Sequence, residues 1–301
     1  MPYIENKTAY FSEEFSQILD DMTSDFKSEK AKSTYLNLAS AITRYCKKDF
    51  LDLTKDDVAE YFSKKSTLSD STKASNLSRY RSMAAKADEK FGTKLSSCFA
   101  METPPPMKEL SLQGLPSYYD IDSVLTSLKE KGDMQTFLLI TLALETAFST
   151  SDLADLKLKN IYTDKTDKPY IRFEPAVEGA MPRFVPISKN TSNLIGDVLL
   201  SRNKAGSFPD DCVFVNKYGG PLSGRLMERN LRDACIDANV KPFTLNDLKT
   251  LSSAKQLKEG IPADVLAQRL GTTGFWFFRL NGVIAELEGE PMKYNHLEVK
   301  W

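Results

Sequence analysis

The chain has little of what most metal, redox and membrane functions require. Its 301 residues include one histidine, His296, so no site needing two imidazoles can form. Four cysteines (Cys46, Cys98, Cys212 and Cys235) are scattered without a Cys-x-x-Cys pair or a neighbouring histidine. That pattern argues against zinc and against a disulfide framework, and free thiols in a reducing cytoplasm are expected. No apolar run reaches the roughly 18 residues of a membrane span. The first residues, Met1-Pro2-Tyr3-Ile4-Glu5-Asn6, lack the basic and apolar regions of a secretory signal. No internal repeat or low-complexity tract stands out. No cofactor, metal or membrane partner is expected, and the expected location is cytoplasmic.

The hydrophobic fraction, 41%, suffices for real cores, and the length suits two domains as readily as one. Net charge is also lacking, with 40 Lys+Arg against 41 Asp+Glu. The total conceals an uneven distribution. Residues 63–94 carry Lys64, Lys65, Lys73, Arg79, Arg81, Lys86, Lys90 and Lys94 against Asp70, Asp88 and Glu89, a local balance of eight minus three, or +5.

Apolar spacing predicts four helices before residue 103. They run from Ser12, from about Ser28 to Lys47, from an N-cap at Thr54, and from Ser71 or Thr72 to a stop at Gly92. Pro104-Pro105-Pro106 cannot continue a helix, so the expected domains are 1–103, a linker at 104–117, and 118–301. The second domain is expected to open with helices at 121–131 and 134–147. The latter is apolar all round and therefore central. Two strands, 170–173 and 183–187, follow around a hairpin loop at Pro175–Pro182, and their prolines suggest a sheet edge. The rest reads as helices broken by a loop at 216–221. The fold class is mainly α with a small β-sheet.

Three strings, in order, resemble the boxes of the tyrosine recombinases, or phage integrases. Thr146–Leu156 (TAFSTSDLADL) is similar to that family's T-G-L-R-x-x-E-L-x-x-L. Phe243–Lys249 (FTLNDLK) is similar to its T-x-H-x-L-R box. Ile261–Thr272 (IPADVLAQRLGT) resembles the helix ending in leucine-glycine-histidine. The resemblance spans most of residues 30–282. It implies a helical, SAM-like core-binding domain followed by a catalytic-like α+β domain, the two closing on duplex DNA from opposite sides.

The departures fall on the chemistry. Family members cleave DNA with a tyrosine, aided by two arginines, a lysine and two histidine-type residues. The resemblance aligns these positions with Ser149, Asn246, Lys249 and Thr272, with Asn281 at the nucleophile, and with a loop, 175–182, that has no lysine. Phosphoryl transfer is carried by positioned positive charge, and one lost donor costs about 3 kcal/mol. A fold without catalysis is therefore expected, and no residue is expected to be catalytic. Tyr294, in a Tyr-Asn-His string, echoes the family's Tyr-x-His ending but lies 22 residues after Thr272 instead of nine.

Candidate DNA contacts are Lys73, Asn76, Arg79 and Arg81 on the fourth helix, expected opposite its apolar face. Arg225, Arg229 and Arg232 form a second group at i, i+4 and i+7, against which Glu228, Asp233 and Asp237 are competing salt-bridge partners. Arg183 and Lys249 complete the set at the former active site. Phe275-Trp276-Phe277-Phe278 reads as core or subunit interface in preference to a base-stacking surface. The apolar C-terminal segment is a candidate for oligomerisation, its alternative being packing within the chain.

The favoured reading is a sequence-specific binder of double-stranded DNA, acting as a transcriptional regulator, a repressor, of a prophage or other mobile element. The alternatives are an active recombinase, an accessory factor partnering an integrase or other regulatory protein, and a protein-binding module that has lost DNA binding.

Overall fold

The computed structural model describes residues 10–24, 29–64, 68–100, 109–163, 168–174, 181–204, 211–272 and 274–287, with backbone alone for 29, 30, 203, 204 and 274–276. The prolines at 104–106, the loop at 175–180, and Tyr294, His296 and the C-terminal segment lie outside them. The chain divides into two compact units, Met1–Met107 and Lys108–Trp301.

The first unit contains α1 (Glu13–Ser24), α2 (Glu29–Cys46), α3 (Lys55–Lys64), α4 (Asp70–Phe91) and α5 (Leu95–Ala100), with a 3₁₀ turn at Phe50–Asp52. Helix α4 starts at Ser69, whose side chain accepts from Thr72 N, and stops at Gly92, which takes the left-handed φ of 68° that glycine tolerates. Four helices were expected, and the fifth is a correction. The six residues of α5 carry no cap of their own; Asp88 of α4 accepts from Leu95 N and Ser96 N instead. Helix α5 delivers Phe99 to a column of rings, with centroid spacings of 4.4 Å for Phe15–Phe50, 5.8 Å for Phe50–Phe99 and 5.6 Å for Phe99–Tyr80. The buried Tyr80 hydroxyl is satisfied by Leu38 O at 2.9 Å.

The second unit runs through α6 (Tyr118–Lys131), α7 (Met134–Thr146), α8 (Thr150–Ala154), β1 (Ile161–Tyr162), β2 (Tyr170–Phe173), β3 (Arg183–Pro186), α9 (Lys189–Lys204), α10 (Gly224–Asp237), α11 (Leu245–Lys258), α12 (Ala263–Leu270), a 3₁₀ stretch at Gly274–Leu280, and α13 (Asn281–Glu286). Mainly α architecture with one small sheet holds. The sheet is antiparallel in the order β1-β2-β3, with Ile161 opposite Ile171 and Phe173 opposite Arg183. The two-residue β1 was not expected. Its pairing makes β2 central, which β2 tolerates because Pro169 and Pro175 flank it and neither lies inside it.

Every residue of α7 from Thr136 to Thr146 is buried, against α6, α9, α10 and α11. Its last carbonyls have no partner within the helix. Ala147 N bonds Ala143 O, Ser252 Oγ of α11 donates to Leu144 O at 2.6 Å, and Gln256 Nε2 donates to Glu145 O at 3.3 Å. The chain begins its second unit clamped to its last described helix. Leu110 N donates to Arg279 O at 2.7 Å, Leu112 N donates to Glu286 at 2.9 Å, and a Cβ at Gly282 would strike Leu110 O. Cys212 and Cys235 are buried, and Cys46 and Cys98 half-buried; none of the four forms a disulfide. Among the described residues no helix is long and apolar enough to cross a membrane.

Glu145 is an acid inside this core. It is 7% exposed, accepts from Ser188 N at the start of α9, and leaves Oε2 without a partner. Burial pushes its carboxyl above the usual 4.5, against opposing hydrogen bonds from Thr191 and Ser188. A folded-state value above the unfolded one means that the folded chain holds more protons, so this contribution is full below pH 4.5 and is lost as pH rises through the folded value. The stability advantage of the native chain over Glu145→Gln should therefore shrink as pH rises above 4.5, in urea unfolding of both proteins. A pH-independent difference would show that Glu145 does not carry the linkage.

Candidate nucleic-acid interface

The box at Thr146–Leu156 starts with a turn. Ala147, where the resembled motif has glycine, closes α7 in the left-handed region at φ 56°. Ser149 then caps α8: its hydroxyl accepts from Asp152 N, and Asp152 accepts from Ser149 N at 3.0 Å. The side chain that the resemblance aligns with the family's first arginine is thus occupied as a helix cap.

The cation reaching this box comes from the sheet. Arg183 Nη2 lies 2.6 Å from Asp152 Oδ1, both side chains being mostly buried. Its guanidinium lies 4.7 Å from the centroid of Phe173, its cross-strand partner, and Phe173 meets Phe148 edge-on at 5.2 Å. Arg183 also passes over the end of α12, where a Cβ on Gly271 would stand 3.0 Å from Arg183 Cδ. Gly271 adopts φ 60° as the C-cap of α12, so it needs glycine for its backbone as well as for space.

Lys249 of α11 is half-buried and adjoins this pair. Burial lowers its pKa, Asp152 opposes that shift and Arg183 adds to it. Lys249 therefore lies within electrostatic range of the Arg183–Asp152 pair. Sequence reasoning identified both cations but not Asp152 as the counter-ion of Arg183, although the acid of the first box was its signal. Thr272 follows at the end of α12, its N–H bonded to Ala267 O. Asn246 is exposed at the start of α11, and Asn281 is exposed at the start of α13.

The arginines of α10 form a separate stripe. Arg225, Arg229 and Arg232 are all exposed, opposite the buried Met227, Leu231, Ala234 and Cys235. Of their sequence-expected partners, Glu228 instead accepts from Thr150 Oγ1 and Leu245 N, tying α10 to α8 and α11. Asp237 pairs with Lys131 at 2.6 Å, and Asp233 lies 3.7 Å from Arg229. Among the described residues no acid pairs with Arg225 or Arg232.

On α4 the expectation of a basic face opposite the apolar one needs correction. Lys73, Asn76, Arg79 and Arg81 are all half-buried along the flanks of the buried stripe. At about 100° per residue, Arg79 and Arg81 leave opposite sides of the helix. Arg81 Nε donates to Phe99 O at the end of α5, and Arg79 donates to Ser75 Oγ at 2.6 Å. The solvent face of α4 is serine-rich, with Ser71, Ser75, Ser78 and Ser82 exposed. In the aromatic run, Phe277 is buried and Phe278 is exposed.

Asp152→Ala removes a cap and leaves Arg183 partly buried without its acid, which should cost about 2–4 kcal/mol. Equilibrium unfolding should show that loss, and Arg183→Met in the same chain should recover part of it. A loss below about 1 kcal/mol would mean that the pair does not hold the box to the sheet.

No curated protein matches the chain in sequence. Among solved structures, the chain is similar in fold to a lambda integrase dimer (residues 75–356) bound to a COC′ core site, at 15% identity and a TM-score of 0.68 over 93% of this chain and 98% of that one. It is likewise similar to the XerH site-specific recombinase bound to palindromic difH substrate in a post-cleavage complex (14%, TM-score 0.64, covering 91% and 92%). The Tn1549 transposon integrase (residues 82–397) in complex with transposon right end DNA also matches, at 14% and a TM-score of 0.60, covering 91% and 98%. The family model of the phage integrases matches residues 119–273, from α6 past the end of α12. With that match spanning half the chain and all three boxes inside it, the chain belongs to the phage integrase family.

Proposed function

We propose that this chain binds double-stranded DNA without cleaving it, and that it works by occupancy, as a repressor of a prophage or mobile element. The observation that carries the absence of cleavage is the state of the first box. Ser149 is spent as a helix cap, and the arginine that reaches the box, Arg183, arrives from the sheet already paired with an acid. Phosphoryl transfer draws on several unneutralised donors around one phosphate. Here Lys249 lies within range of the Arg183–Asp152 pair, and the position aligned with the nucleophile is Asn281. Such a site can still hold a phosphate oxygen while lacking a group to attack it.

Affinity for the duplex comes from the α10 stripe. Three exposed arginines on one helix face suit phosphate contacts, and their removal exposes no core. The DNA-bound state of the lambda, XerH and Tn1549 relatives supports the same ligand for this chain.

Replacing Arg225, Arg229 and Arg232 together by alanine should leave the thermal midpoint nearly unchanged. It should weaken duplex binding and reduce the slope of log K against log salt by about 2–3, near 0.9 for each lost phosphate contact. Capture of genomic fragments by the purified chain, then titration at several salt concentrations, should yield discrete sites near promoters. Protein covalently attached to nicked DNA would overturn the non-cleaving reading; an unchanged salt slope would overturn the α10 contact.

A further inference from the structure

The outer face of the sheet has no place in the duplex-binding reading. Its inner face sends Ile171, Phe173 and Val185 into the core. The alternate positions point outward and are Tyr162 on β1, Tyr170 and Arg172 on β2, and Phe184 and Pro186 on β3. Among the described residues of the three strands, aromatic rings, a proline and one guanidinium make up this surface. Tyr162 is 38% and Phe184 50% exposed.

The rings form a row across all three strands. Tyr162 and Tyr170 stack with centroids 4.9 Å apart and planes 6° from parallel, and Tyr170 and Phe184 are 5.8 Å apart. Arg172 lies 5.6 Å from the Phe184 centroid. Its partner Glu174 sits beyond the strand end, in an exposed pair at 2.9 Å.

We propose that this face stacks the unpaired bases of single-stranded nucleic acid. The platform is smaller than a protein partner needs. The four-residue β2 and β3 and the two-residue β1, about 4.8 Å apart at about 3.3 Å per residue, give roughly 100 Å². A stable protein interface needs about 800 Å² on each side. Two or three bases fit the smaller area, and rings interleaved with arginine hold them without sequence preference. Arg172 is paired with Glu174, so the face holds bases through its rings and not through a free charge. This inference stands apart from duplex binding, which draws on α10.

The test titrates the full chain with labelled (dT)10, an abasic decamer of equal charge, (rU)10 and a duplex. The base-bearing strands should bind at least about tenfold tighter than the abasic one. Tyr162→Ser with Phe184→Ser should abolish that preference while duplex affinity stays unchanged. Should the double variant unfold in circular dichroism, Tyr162→Leu keeps the apolar contact, removes the ring and should reduce the preference alone. A 5-iodouracil strand should crosslink to Tyr162, Tyr170 or Phe184. Tighter binding of (rU)10 than of (dT)10 identifies RNA as the source of the bases, and the reverse order identifies DNA. Equal affinity for abasic and base-bearing strands, or crosslinks confined to other elements, would overturn the proposal. So would a self-association in sedimentation that the folded double variant loses. Failure of duplex binding alone would overturn the reading in the preceding section and leave this one standing.

Discussion

The buried C-terminus of α7 is the constraint on which the second unit depends. A helix surrounded by protein cannot hand its last carbonyls to water, so neighbouring side chains must satisfy them. Ser252 and Gln256 do so, which fixes α11 lengthwise against α7 and sets Lys249 about one turn before Ser252. Ala147 turns the chain out of α7 in a left-handed conformation, and Ser149 restarts it as α8. Asp152 and Lys249 are thus placed by the ending of one helix, and Arg183 arrives from the sheet to meet them.

On the non-cleaving reading, this arrangement explains how the family fold can stand without the family's cleavage residues. The residues that position the boxes are apolar or act through the backbone: Leu153, Leu248, Leu270 and the left-handed Gly271. At Ser149 the replacement has become structural, because its hydroxyl caps the helix that carries Asp152. Asp152 in turn keeps a mostly buried arginine from being an unpaired charge.

Much of this was legible in the sequence wherever a local rule had a single outcome. Ser149-x-x-Asp152 and Ser117-x-x-Asp120 form reciprocal caps, Gly92 stops α4, and the all-apolar α7 is central. What was not legible depended on partners far along the chain. Helix α5 borrows its cap from Asp88, and the two-residue β1 exists only through its pairing with β2. The α4 cations were misplaced because steps of three and two residues walk around a helix and do not stay on one face. Arg81 is drawn to the carbonyl end of α5, a helix that the apolar pattern did not reveal. Within the site, both cations were visible as residue types, whereas the acid that pairs with Arg183 became a partner only once β3 crossed the start of α8.

The clamp between Gly282 and Leu110 bears on what a tyrosine at position 281 could do. The position aligned with the nucleophile, Asn281, is exposed, so a tyrosine could stand there without disturbing the core. The next residue admits only glycine against Leu110 O, and Glu286 anchors the same helix to Leu112, so α13 has one permitted rotation about its axis. A tyrosine placed at 281 would take that fixed direction together with a first box whose serine caps α8. On the non-cleaving reading proposed above, strand cleavage would need changes on α8, α11 and α13 together, because each holds its polar position in a structural role or a fixed direction.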